Sequence, residues 1–186
     1  LDEAEDALAA ISPEVLQVGS VLFAELALRR SDYRMAIARL GNCGGPVADG
    51  LRGYLFLELN DYPNAIRAFR ASANEAPTSA TLSNLGYAYV AIGSHDKALR
   101  SYRSAVGLAP YDQAASANLV ACLASTGRYA EAERELGRIS RFHSDDLQIQ
   151  ISKARIRSLA GDHKGALRLL NHARTQQAAW AASPLE

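Results

Sequence analysis

Residues 79–112 read SATLSNLGYAYVAIGSHDKALRSYRSAVGLAPYD. The first half sets Leu82, Leu85, Tyr89 and Ile92 at i, i+3, i+7 and i+10, one stripe of a helix. Gly93-Ser94 stops it. A second helix carries Ala98, Tyr102, Ala105 and Val106 on one face and ends near Ala109-Pro110, where proline cannot continue it. Gly86 and Ala98 are small where two helices must approach closely; a larger side chain at either would overpack the crossing by about 1–3 kcal/mol. The stretch is a helix–turn–helix unit with one apolar face per helix.

The unit recurs. Ala98, Ala132 and Ala166 lie 34 residues apart, Gly93, Gly127 and Gly161 keep the same interval, and His95, Tyr129 and His163 follow two residues after each glycine. Residues 113–146 supply Leu119, Leu123, Leu136 and Ile139 in the same frame, and residues 147–180 supply Ala154, Leu170 and Ala173. Upstream, Gly53, Phe56, Asn60-Asp61-Tyr62, Ala65, Phe69 and Pro77 match with a 33-residue step. Residues 14–45 are irregular: Phe23, Ala24, Ser31-Asp32-Tyr33, Ala36 and Leu40 fit, but the stretch Gly41 to Pro46 breaks the second helix early. Ala36 and Ala65 are therefore only 29 residues apart. A shortened helix and the most mobile repeat are expected there. Leu1 to Ile11 reads as one more helix, with Ser12 as N-cap, Pro13 at the first helical position and Glu14 in the first turn of the next.

Leu82, Leu85-Gly86, Tyr89, Gly93, Ala98, Tyr102, Ala105 and Pro110, at this period, resemble the tetratricopeptide repeat. The resemblance covers about residues 14–178. It implies an all-α fold, a right-handed superhelical α-solenoid of antiparallel helix pairs running through 1–186 as a single array. Its parts are an N-terminal helix (1–12), an irregular repeat (14–45), four repeats (46–78, 79–112, 113–146, 147–180) and a tail (181–186). The start at Leu1 and the closing Leu185-Glu186, which looks like a cloning-site remnant, suggest a piece of a larger protein. The Ala- and Arg-rich composition suggests a bacterium with a GC-rich genome.

In this family the first helix of each pair lines a concave groove that receives a peptide segment or partner helix. Transferred by position, the candidate groove residues are Tyr54, Asn84, Tyr87, Asn118, Gln148 and Arg155. Asn84 and Asn118 are one period apart; an amide donates and accepts at once, so such a pair can hold a peptide backbone without reading its side chains. The plainer reading is two polar residues tolerated on helix surfaces. Tyr54 and Tyr87 are candidate aromatic anchors, or residues partly buried between repeats. The family's clamp for a C-terminal carboxylate is not matched, since Val18, Val21 and Val47 stand at its early positions. Alanines at inward positions of 113–146 leave room for a partner helix or bulky apolar side chains. The family usually closes its last repeat with an extra helix. Here the final face, around Leu167, Leu170 and Trp180, is expected to stay apolar and open, to be covered by the rest of a larger protein or by a second copy as a homodimer.

Twenty basic and 20 acidic residues give a net charge of +0, which argues against nucleic acid as a partner. No apolar run is long enough for membrane insertion. Residues 1–76 carry 11 acids and 7 bases, and residues 128–174 carry 6 acids and 10 bases, so the ends differ in sign. That could favour head-to-tail association, or be a chance surface bias. Cys43 and Cys122 stand alone, without a metal-binding pattern. His95 and His163 fall where Tyr33, Tyr62 and Tyr129 stand in other units, and are expected to pack as amphipathic rings. His143 and His172 align with no nucleophile or carboxylate. Asn42 to Pro46 is glycine-rich but lacks the lysine of a phosphate-binding loop. No enzyme, cofactor or metal is expected, and cytoplasmic and periplasmic locations both stay open. The leading function is a protein–protein interaction scaffold, binding a peptide or partner helix in its groove. The alternatives are self-association or intramolecular regulation through the C-terminal end, and a substrate-recruiting arm for an enzyme domain outside this chain.

Overall fold

A computed structural model describes residues 19–22, 24, 25, 28, 31–141 and 147–181, with side chains up to 175. The helix expected over 1–12, the Ser12 cap, Val18, His143 and the Trp180 side chain lie outside the described residues. Nine helices are labelled in chain order: α1 (Tyr33–Leu40), α2 (Pro46–Glu58), α3 (Tyr62–Glu75), α4 (Ser79–Ala91), α5 (His95–Leu108), α6 (Gln113–Ser125), α7 (Tyr129–Ile139), α8 (Leu147–Leu159) and α9 (His163–Ala181). The described residues contain no strand. The chain forms two compact units, residues 1–94 and 95–186, divided between the two helices of 79–112.

One turn, used repeatedly, sets the helix boundaries. At its centre the chain enters the left-handed region, at Ser31 (φ 58°), Asn60 (57°), Gly93 (74°), Gly127 (73°) and Gly161 (89°). Glycine adopts this φ without the Cβ clash that other residues meet. At four of these turns the following N–H reaches back over the helix end: Asp61 to the Phe56 carbonyl, Ser94 to Tyr89, Arg128 to Leu123 and Asp162 to Arg157, at 2.8–2.9 Å. The residue after the left-handed one then starts the next helix. Asp32, Asp61 and Asp162 accept from the amides of Met35, Asn64 and Gly165. Arg128 holds the same place and makes no side-chain cap. Thr78 and Asp112, also in register, cap α4 and α6.

In the first unit the gap between α2 and α3 is filled. A Cβ on Gly53 would stand 2.6 Å from the Phe69 ring, so only glycine lets this buried phenyl seat against α2. The buried Ser72 hydroxyl donates to the Pro46 carbonyl at 2.7 Å, tying the end of α3 to the start of α2. α1 has eight residues and ends at Gly41 (φ 46°). The loop after it is held by Arg52, which pairs with Asp49 and donates to the carbonyls of Gly41 (3.2 Å) and Cys43 (2.8 Å). Ala24, Ala36, Leu40, Ala48 and Leu55 form the core beneath.

In the second unit consecutive helices pack from α5 to α9, with Leu119, Val120, Leu123, Leu136, Ile139, Ile149 and Ile156 buried. Long side chains cross between helices. Arg138 of α7 bonds Glu135, the Pro110 carbonyl and the hydroxyl of fully buried Ser116 (2.9 Å). Its bond to Glu135 raises its pKa above the ordinary guanidinium value. Glu131 accepts from Arg128 (2.7 Å) and Arg103 (2.8 Å), which hold its carboxyl below the usual value of 4.5, Arg128 foremost. Glu133 accepts from Arg157 of α8 at 2.7 Å, and Lys153 of α8 donates to the Ser140 hydroxyl at 2.9 Å. An acidic α7 thus meets a basic α8. Gly107 in α5 and Gly137 in α7 have open space where a Cβ would stand.

Candidate functional site

Between α6 and α8 lies a cavity of about 510 Å³. Ala117, Ala121 and Ala124, at i, i+4 and i+7, form one wall. Gln148, Ser152, Arg155 and Leu159 form the facing stripe, and Val120, Leu136, Ile139, Ile149 and Ile156 lie at the base. The opening follows from side-chain size: three alanines in a row leave unfilled the volume that larger residues would occupy. Arg155 is the single charged group in the lining, and it is exposed, with no ion pair among the described residues.

The remaining candidate groove residues are spread along the chain. In the second unit, Gln148 and Arg155 share the cavity, while Asn118 is exposed on α6 outside its lining. In the first unit, Asn84 is half-buried on α4, Tyr87 is 56% exposed and Tyr54 is 38% exposed on α2. The Tyr54 hydroxyl is hydrogen-bonded to Glu58, and this bond raises its pKa above 10.0. Val47, one helical heptad before Tyr54, is exposed as well. Tyr54 and Tyr87, read from the sequence as candidate aromatic anchors 33 residues apart, are thus exposed together with Val47.

At the C-terminal end a second, shallower cavity of about 440 Å³ is lined by Ile151, Leu159, Leu167, Leu170, Arg155 and His163 with their smaller neighbours. Leu170 is 44% exposed, whereas its counterparts one, two, three and four units upstream (Leu136, Tyr102, Phe69 and Leu40) are all buried. Leu167 is exposed too. α9 extends through Trp180 to Ala181.

The packed-ring expectation for the histidines is corrected. His95 and His163 are exposed at the first positions of α5 and α9, while Tyr33, Tyr62 and Tyr129 are half-buried at the equivalent place. The shorter imidazole covers less apolar surface than a phenol and keeps its nitrogens in water; His163 Nδ1 lies 3.4 Å from the Ser158 hydroxyl. Cys122 is buried, and desolvation pushes its thiol pKa up against the smaller opposing effect of Arg128. Among the described residues no three His, Cys, Asp or Glu side chains are grouped to hold a metal, and no helix is long and apolar enough to cross a membrane.

Within each unit, consecutive helices joined by one recurring turn and packed on their neighbours define a helical-repeat protein. Residues 89–156 match the family model of the tetratricopeptide repeat, and the fold of the chain is that of tetratricopeptide repeat proteins. Its fold is shared by YrrB, described as a TPR protein with an unusual peptide-binding site (19% identity over 84% of each chain, TM-score 0.70). It is shared by MamA 41-end from Desulfovibrio magneticus RS-1 (15% identity, 88% of this chain and 96% of that one, TM-score 0.75). A further MamA structure aligns with 13% identity over 92% and 97% of the two chains, at a TM-score of 0.77. No curated protein matches the sequence. The fold is that of a protein–protein interaction module.

Proposed function

We propose that the chain binds an apolar peptide segment or partner helix in the cleft between α6 and α8. The supporting observation is the alanine-walled cavity of about 510 Å³, within the range of ligand pockets and apolar at its base. A bulky side chain entering beside Ala121 removes apolar surface from water, and Gln148, Ser152 and Arg155 meet polar groups at the rim. Asn118 on α6 serves in this reading as a main-chain contact; on the first unit's own face Asn84 is a main-chain contact and Tyr54 and Tyr87 are aromatic anchors. That YrrB is a peptide-binding protein of the same fold is in keeping with it.

The test is a peptide-display selection on the intact chain, followed by Ala121→Trp, which fills the cleft. Binding weakened at least tenfold, about 1.4 kcal/mol, is expected. Selected peptides that bind the filled variant as tightly as the parent chain would place the site elsewhere.

A second reading concerns the C-terminal end. The exposure of Leu170, set against its buried upstream counterparts, favours an association surface there.

A further inference from the structure

The uncovered face formed by α8 and α9 has a specific chemical requirement, which the preceding repeat makes legible. In that repeat α7 carries Glu131, Glu133 and Glu135: Glu133 pairs with Arg157 of α8, the helix lying over it, while Glu131 and Glu135 are paired with Arg103, Arg128 and Arg138. One period later the three glutamates are replaced by Gly165, Leu167 and Leu169. α9 has no acidic residue at all and carries exposed Lys164, Arg168 and Arg174. Arg155, at the edge of the same face, has no ion pair among the described residues. A covering helix with the basic character of α8 would be repelled here. The suitable cover is apolar towards Leu167 and Leu170, and acidic at its rim.

One segment of this chain has that composition. Residues 1–28 contain Asp2, Glu3, Glu5, Asp6, Glu14 and Glu25 and no lysine or arginine. Within them, Leu1, Ala4, Leu8 and Ile11 fall at helical i, i+3, i+7 and i+10 spacing. Leu1 and Leu8 are seven apart, as are Ile149 and Ile156, the buried pair by which α8 covers its own neighbour. Eleven residues of helix span about 16 Å, the length of three turns of α9.

We infer that residues 1–11 of one copy dock on the α8–α9 face of a second copy, with Leu8 and Ile11 on Leu167 and Leu170 and the four acids towards Lys164, Arg168 and Arg155. This rests on the end-surface reading above and supplies its occupant. Such a contact is heterologous, joining head to tail, so copies add one to the next unless the contacts close on themselves. Opposite charges at the rim make the association sensitive to salt.

The test is sedimentation equilibrium of the full chain over a wide concentration range, at low and high salt. The weight-average mass is expected to rise above the monomer at low salt, with an association constant at least tenfold lower at high salt. Leu8→Asp and Leu170→Asp, each checked for native helicity by circular dichroism, should separately abolish self-association. Mixed together they should recover a 1:1 dimer and nothing larger, because each variant keeps the half that the other has lost. As a further check on both variants, Lys164→Glu with Arg168→Glu should weaken association at least tenfold, and recover it when mixed with a chain carrying Glu3→Lys and Glu5→Lys. A full chain that stays monomeric throughout would overturn the end-surface reading itself. Association that survives Leu8→Asp but is lost with Leu170→Asp would leave that reading intact and show that residues 1–11 are not the occupant.

Discussion

The pairing of α2 with α3 and the facing of α6 with α8 both depend on small residues, to opposite ends. Gly53 is small so that Phe69 can fill the space above it. Ala117, Ala121 and Ala124 are small and the space beside them stays open. In a repeat protein, therefore, residue size at a framework position does not by itself distinguish packing from function. What distinguishes them is whether a neighbouring side chain arrives to take up the volume.

The contrast is broken most directly by substitution on both sides. Phe69→Ala empties the first site and should lower stability by about 3–5 kcal/mol in urea unfolding. Gly53→Ala forces a Cβ into the ring and should cost about 1–3 kcal/mol, more than the helix propensity that alanine gains, at most about 1 kcal/mol; Phe69→Leu in the same chain should relieve part of it. Ala121→Leu, by comparison, projects into the open cleft and should stay within about 0.5 kcal/mol of the parent. A loss at Ala121 as large as that at Gly53 would mean the cleft is closed in solution.

Three smaller effects sharpen the comparison between the units. Arg138→Met strands the buried Ser116 hydroxyl and should cost about 1–3 kcal/mol. Gly127→Ala meets no atom but imposes a left-handed alanine, and should cost about 1 kcal/mol; Ser31→Gly, the same position in the first unit, should stabilise by a similar amount, both read from thermal unfolding. Last is pH. The carboxyl of Glu131 is depressed by Arg128 and Arg103, so its contribution is present above the ordinary 4.5 and is lost as pH falls through the lower folded value. The small stability gap between the parent and Arg103→Ala should accordingly be open at pH 7 and shrink under acid conditions.

The fold was legible because its determinants are local. Glycine at a left-handed turn, Asp or Thr at a cap and apolar residues three and four apart declare themselves within a few positions. The alanine-walled opening was legible too, since volume can be read from side-chain identity. The cross-links were not. Arg138 meets Pro110 and Ser116 from 28 and 22 residues away, and Arg52 reaches back over the loop at Gly41 to Cys43. Long, flexible side chains choose partners by geometry that periodicity does not encode. The same limit explains His95 and His163, whose frame position suggested packed rings although their helix-start location keeps them in water. It also explains Asn118: one period from Asn84, it lies outside the cavity that Gln148 and Arg155 share.

Gly107 and Gly137 look onto empty space from two helices of the second unit. Each can therefore carry a foreign side chain without disturbing a neighbour, and a cysteine at either gains helix propensity over glycine. Buried Cys122, its ionisation suppressed, would stay silent to a thiol reagent that modifies the new sites, once half-buried Cys43 is replaced by serine. The fold thus comes with two ready attachment points for spectroscopic labels, from which the breathing of the second unit can be followed as a distance while a ligand enters the cleft.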